Sequence, residues 1–160
     1  MTELALPKID KDTISRKNQI VSKLKKFTKD ENILSENEEI KPYETDGLAA
    51  YKQTPLAVVL PENTKEVSEI LKFCNEENIK VIPRGAGTGL SGGALPLQDA
   101  ILLGLGKFNK ILEIDFDNKC VVTQPGVTNL GITHAVQHKG YYYAPDPSSQ
   151  LACSIGGNVA

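Results

Sequence analysis

Apolar positions along the chain follow two regimes that change near residue 50. In the first, Ile14, Ile20, Val21, Leu24 and Phe27 form a helical stripe among lysines. This spacing predicts a helix that docks its apolar side on something else, with its basic face solvated. From Ile33 to Pro55 no period is sustained, because Pro42, Gly47 and Pro55 interrupt it, and an irregular connection is expected. The pattern then sharpens. Ala57 to Leu60 is a short apolar run ended by Pro61, and Asn63 with Glu66 has the spacing of a helix N-cap and its reciprocal partner. Val67, Ile70, Leu71 and Cys74 fall on one face of the helix so begun, and Lys80 to Ile82 is a second strand, which completes a βαβ-like unit.

Beyond a glycine-rich loop, Ala100 to Leu105 is again β-like, and Ile111–Asp115 with Cys120–Gln124 flank residues 116–119 as a hairpin. Thr128 is placed to cap a helix running to Lys139, with Gly140 where a helix commonly stops. The segment after Gly140 is rich in turn formers. The expected organisation is a helical N-terminal segment and linker over residues 1–50, followed by a small mixed α/β unit over residues 51–160.

With 160 residues the chain has the size of one domain and can bury a core. Its 18 basic and 20 acidic side chains give no basic surface to track phosphates, so nucleic acid is not an expected partner. The opening residues lack the apolar core and cleavage site of a secretory signal, and no stretch reaches the roughly 20 apolar residues of a membrane span. A cytoplasmic location is expected, with at most peripheral contact at the inner membrane. Cys74, Cys120 and Cys153 show no CxxC spacing and are expected to be small core residues. His134 and His138 stand four apart, a spacing that can hold zinc, but no third ligand lies nearby in sequence and no metal is expected.

The chemistry concentrates in Pro83-Arg84-Gly85-Ala86-Gly87-Thr88-Gly89-Leu90-Ser91 and the two glycines that follow. Glycine is used where the backbone takes positive φ or approaches another group closely, and a run of such residues can aim successive N–H groups at one anion. Thr88 and Ser91 offer hydroxyls and Arg84 a permanent charge, so the loop suits an anionic ligand such as a diphosphate. It lacks the GxxxxGK[ST] of a nucleotide triphosphatase. Gly87, Gly89 and Gly92 fit GxGxxG, with Glu113 downstream as an acidic partner. A Rossmann loop, however, must open directly into a helix, and Gly93-Ala94-Leu95-Pro96 cannot start a long one.

PRGAGTGLSGGALP at 83–96, VTQPGV at 122–127 and YYAPDPSSQLACSIGGNVA at 142–160 resemble the FAD-binding domain of the vanillyl-alcohol oxidase and p-cresol methylhydroxylase superfamily. Within it the likeness is to the FAD subunits of glycolate oxidases, and it extends back through KPYETDGLAAYKQTPLAVVLPENTKEV. The resemblance implies an α+β fold, a PCMH-type FAD-binding domain of two small α/β subdomains, incomplete in these residues and preceded by the helical N-terminal segment. It implies that Pro83 to Ser91 contact the FAD diphosphate and that Pro125, Gly126 and Val127 pass near the adenine half. It places Pro145, Asp146, Ser149, Cys153, Ser154, Gly156, Gly157 and Asn158 along the flavin side. Some relatives bind FAD covalently through a histidine that aligns with Thr88, so FAD is expected to be non-covalent here.

The activity implied is oxidation of a small 2-hydroxy acid such as glycolate or D-lactate to the 2-oxo acid. The general base and the carboxylate clamp are expected outside these residues, in further flavin-domain strands and a cap. A second flavin-type subunit and an iron–sulfur subunit are the implied partners. A non-catalytic FAD or nucleotide module, and a flavoenzyme of the same superfamily with another substrate, are the alternative readings.

Overall fold

The computed structural model describes residues 7–160. Its main layer is a four-stranded sheet in the order β1 (Ile33–Leu34), β2 (Ala57–Val59), β4 (Ala100–Gly104), β3 (Lys80–Arg84). β2, β4 and β3 run parallel, and β1 pairs antiparallel on the far edge. Every residue of β2 and β4 is buried, which is why both read as unbroken apolar runs rather than alternating ones.

The long helix (Thr64–Glu76) connects β2 to β3, as the βαβ reading expects, but the two strands are not neighbours, because β4 enters between them. Asn63 caps this helix through the Glu66 amide at 3.0 Å. The reciprocal bond goes elsewhere: Glu66 accepts from the Glu62 amide at 3.0 Å and from the Thr28 hydroxyl at 2.8 Å. Leu71, assigned to the inner face by its spacing, is exposed, and Phe73 takes the inward position with its ring 5.7 Å from that of Phe27.

The N-terminal stripe is carried by two helices, α1 (Lys11–Ser15) and α2 (Lys17–Leu24), which break at Arg16. It docks on the chain's own sheet rather than on another molecule, since Ile20 and Leu24 share one core with Ile70, Ile101 and Leu103. At roughly 1.5–3 kcal/mol for each large apolar side chain buried, this contact is part of the fold itself. Buried Asp99 pins the entry of α1 by accepting the Asp10 amide and the Lys80 ammonium, each at 2.6 Å.

The stretch expected to be irregular supplies edge strand β1 and the short helix α3 (Asn37–Ile40), whose Ile40 closes the other sheet face on Val58 and Leu102. Two residues per strand and one helical turn are too short to leave a period in the sequence. In chain order the long helix is α4.

A second, two-stranded sheet pairs β5 (Ile111–Asp115) with β6 (Cys120–Thr123) as the predicted hairpin. Cys120 lies exposed on it, against the expectation of a core residue, because it sits at the turn end of an outer strand, whereas Cys74 and Cys153 are buried. Thr128 caps α5 (Asn129–Val136) through the Gly131 amide at 3.0 Å, and Gly140 ends the following turn at φ +79°. A last short helix, α6, covers Ile155–Val159. Among the described residues no helix is long and apolar enough to cross a membrane.

Candidate functional site

The glycine loop leaves edge strand β3 and reaches central strand β4 without forming a helix, which removes the Rossmann reading; Glu113 stands exposed on β5. Pro83 and Arg84, read as loop from the sequence, complete β3 opposite Leu103 and Gly104. Gly87 and Gly92 take φ of +70° and +77°, a region that L side chains rarely adopt. Among the described residues, no amide from Ala86 to Ser91 donates to a protein acceptor. An uninterrupted row of free donors at the surface, open to water, can also take up an anion. Ala86, Gly89, Leu90 and Ser91 are exposed, and Gly87 and Thr88 are half-buried.

The three sequence motifs meet at this loop. Gly85 approaches the Ser154 hydroxyl so closely that a Cβ there would collide with it. Ser154 is 5% exposed, and its Oγ has no hydrogen-bond partner. Ile155 and Gly156 donate their amides to Val127 and Pro125, both at 2.8 Å, and a Cβ on Gly156 would lie 2.6 Å from the Pro125 ring. Gly126 is pressed on the Phe108 carbonyl, its amide donating at 2.7 Å. Asn158, exposed, donates to Asn129, which in turn donates to the Pro145 carbonyl at 3.2 Å. Cys153 is buried, with its amide on the Ser149 carbonyl at 2.8 Å, while Pro145, Asp146 and Gly157 are exposed.

Arg84 does not reach freely toward the open side of the loop. Its guanidinium donates to the Tyr43 carbonyl at 3.1 Å and stands 5.7 Å from the Tyr43 ring centre. A Cβ on Gly87 would come within 2.5 Å of Arg84 Nη2. Desolvation lowers the arginine's pKa, opposed by the negative charge of Asp46.

The turn from Tyr43 to Leu48 is a wall of the site that the sequence reading left as linker. Gly47 is packed so tightly that a Cβ would lie 2.7 Å from the carbonyl oxygens of both Thr88 and Gly89. Asp46, 6% exposed, accepts the Leu48 amide on Oδ1 at 2.9 Å, and its Oδ2 has no partner. The signal present in the sequence was Asp46-Gly47 itself, a turn pair. Nothing local shows that it lands 40 residues downstream.

A loop of free amides at the carboxyl end of a parallel strand, backed by a buried hydroxyl from a distant segment, gives this α+β domain a surface that suits the diphosphate of a dinucleotide. The family model described as FAD binding domain matches residues 55–160, and the chain belongs to that family; FAD is its cofactor. The chain is similar to "Glycolate oxidase subunit GlcD" of Escherichia coli (strain K12), 49% identical over 156 residues, covering 98% of this chain and 30% of that protein. It is also similar to "D-lactate dehydrogenase" of Anaerostipes hadrus, 34% identical, covering all of this chain and 32% of that protein. Among solved structures, p-cresol methylhydroxylase with substrate bound superposes with a TM-score of 0.78 at 25% identity, covering 91% of this chain and 29% of that one. The fold is thus of the p-cresol methylhydroxylase type, and the chain spans about a third of the length of the curated relatives it matches. The residues present fit FAD: the free amides suit its diphosphate, and the unpartnered Ser154 hydroxyl is an orphan that a bound polar group would satisfy.

Proposed function

We propose that the whole protein carrying this chain is an FAD-dependent oxidoreductase that converts a small 2-hydroxy acid, such as glycolate or D-lactate, to the 2-oxo acid. When bound, FAD supplies the two-electron acceptor for the carbon that bears the substrate hydroxyl. The residues of this chain bind and orient it. The amides of Ala86 to Ser91 hold the diphosphate, with Thr88 and Ser91 hydroxyls beside them and Pro83 and Arg84 fixing the loop's base. Pro125 to Val127 and the segment Pro145, Asp146, Ser149, Cys153, Ser154, Gly156, Gly157 and Asn158 form the wall along the adenine and flavin parts.

Thr88 stands where some relatives carry a linking histidine, so FAD is held without a covalent bond. Residues 51–160 are the first part of the flavin domain, and the described residues before them add the helices that pack on it, edge strand β1 and the Tyr43–Leu48 turn. Partner subunits, one of the flavin type and one with an iron–sulfur centre, follow from the likeness to a named glycolate oxidase subunit. The carrying observation is the row of unpaired amides from Ala86 to Ser91. Supporting the substrate class are two relatives whose names both specify 2-hydroxy-acid chemistry.

The test is purification of the whole protein followed by anaerobic titration. A yellow protein whose flavin is bleached by glycolate or D-lactate, and whose FAD is released by denaturation, is expected. A colourless protein that takes up no added FAD, or a flavin that no 2-hydroxy acid reduces, overturns the reading.

A further inference from the structure

Asp46 is buried with one carboxylate oxygen unpartnered, a costly arrangement that neither the fold nor the diphosphate explains by itself. Its surroundings give a reason. The turn that carries it touches the glycine loop twice. Gly47 lies on the Thr88 and Gly89 carbonyls. The Arg84 guanidinium, held by the Tyr43 carbonyl and ring within reach of the Asp46 charge, lies against Gly87.

Peptide units are planar, and every one described here is trans, so the C=O and N–H of a unit point in opposite directions. Carbonyls of Thr88 and Gly89 turned toward Gly47 therefore turn the amides of Gly89 and Leu90 away from the protein, onto the exposed side. Aligned, unpaired N–H groups repel one another, and a glycine loop left free would rotate these peptides to satisfy them elsewhere. Something must hold the row in place before a ligand neutralises it.

We propose that Asp46 is a positioning residue of the dinucleotide site: its buried carboxylate shapes the Tyr43–Leu48 turn, whose Tyr43 holds Arg84, and the turn fixes the Thr88 and Gly89 peptides with their N–H groups facing the diphosphate. This rests on the reading of the loop as the diphosphate site. Asp46 acts through the turn rather than by contact with the ligand: the attraction for the anion comes from the backbone dipoles, and the turn sets their geometry.

The experiment uses the whole protein. Asp46→Asn keeps the shape and the acceptor for the Leu48 amide but removes the charge. FAD affinity, read by flavin fluorescence, is expected to fall roughly tenfold or more, as loss of preorganisation predicts, while the apoprotein melts at or above the parent temperature because a buried charge is gone. Arg84→Lys is expected to lower affinity similarly, and the double variant to be no worse than either single one. Chymotryptic cleavage after Leu90 in the apoprotein is expected to quicken in Asp46→Asn, a readout that needs no FAD. Should Asp46→Asn fail to fold, Gly47→Ala tests the same contact, since its Cβ forces the two carbonyls away. Parent-like FAD affinity and parent-like cleavage in the variants overturn the proposal. So does an affinity loss matched by an equal loss of apoprotein stability with additive double-variant effects, because Asp46 would then be merely structural. A parent that takes up no FAD sinks the functional reading, and the cleavage comparison still decides whether Asp46 orders the loop.

Discussion

The four-stranded sheet and the loop that leaves its edge treat the peptide N–H in opposite ways. In β2 and β4 the backbone is paired with neighbouring strands and every side chain is buried. From Ala86 to Ser91 the amides have no acceptor among the described residues, and the side chains, Leu90 apart, are small. The first region is stabilised by what it buries. The second is positioned by close contacts: Gly47 on the Thr88 and Gly89 carbonyls, Arg84 on Gly87, and Ser154 on Gly85. Binding is therefore separable from folding here, which substitutions in the two regions test.

The largest effect on binding is expected from Gly87→Val, where positive φ costs roughly 1–2 kcal/mol for a residue with Cβ and the new side chain meets Arg84. FAD retention should be lost with the sheet intact, as flavin content and circular dichroism together would show. Ile101→Ala, at a fully buried position of β4, should remove about 2–5 kcal/mol of stability in urea unfolding, and FAD should leave only as the protein unfolds. If Gly87→Val unfolds the protein, or Ile101→Ala weakens FAD without lowering stability, the two regions are not separable.

A smaller change is expected at Ser154. Its unpartnered hydroxyl stabilises nothing in the apoprotein, so Ser154→Ala should leave or raise the apoprotein melting temperature while weakening FAD by about 1 kcal/mol, measured by titration.

One acid-sensitive contact lies just after β2, at Glu62. Hydrogen bonds from Lys29, then Asn32 and Lys107, hold the Glu62 carboxyl down from 4.5 to about 2. A depressed pKa contributes stability that is present above 4.5 and lost as pH falls toward about 2, so Glu62→Gln should flatten that acid slope in pH-dependent denaturant midpoints. The mildest contrast is in thiol chemistry. Exposed Cys120 should react rapidly with a disulfide reagent in the native protein, whereas Cys74 should not, since burial raises its thiol to about 11.

The sheet was largely legible because buried parallel strands and a capped helix write long signals: Ala57–Val59, Ala100–Gly104 and the Asn63 cap were all readable in the sequence. Strand order was not, since nothing in β4 says that it enters between β2 and β3. The loop was legible as chemistry through its glycines, but its clasp was not. Asp46 and Gly47 look like any turn pair until the fold sets them on Thr88 and Gly89. Arg84 looked like a ligand for the anion because sequence reports charge and not direction, and the structure turns it onto Tyr43.

The insertion of β4 between β2 and β3 carries a consequence for assembly. The glycine loop joins two adjacent parallel strands, and the β3–β4 register, from Lys80 opposite Ala100 to Arg84 opposite Gly104, fixes both of its ends. β2 and β3 lack their shared neighbour until the chain beyond the loop has returned to fill the gap, so most of the loop's closure entropy is incurred as the sheet forms. A cofactor arriving later therefore meets a loop whose two ends are already anchored.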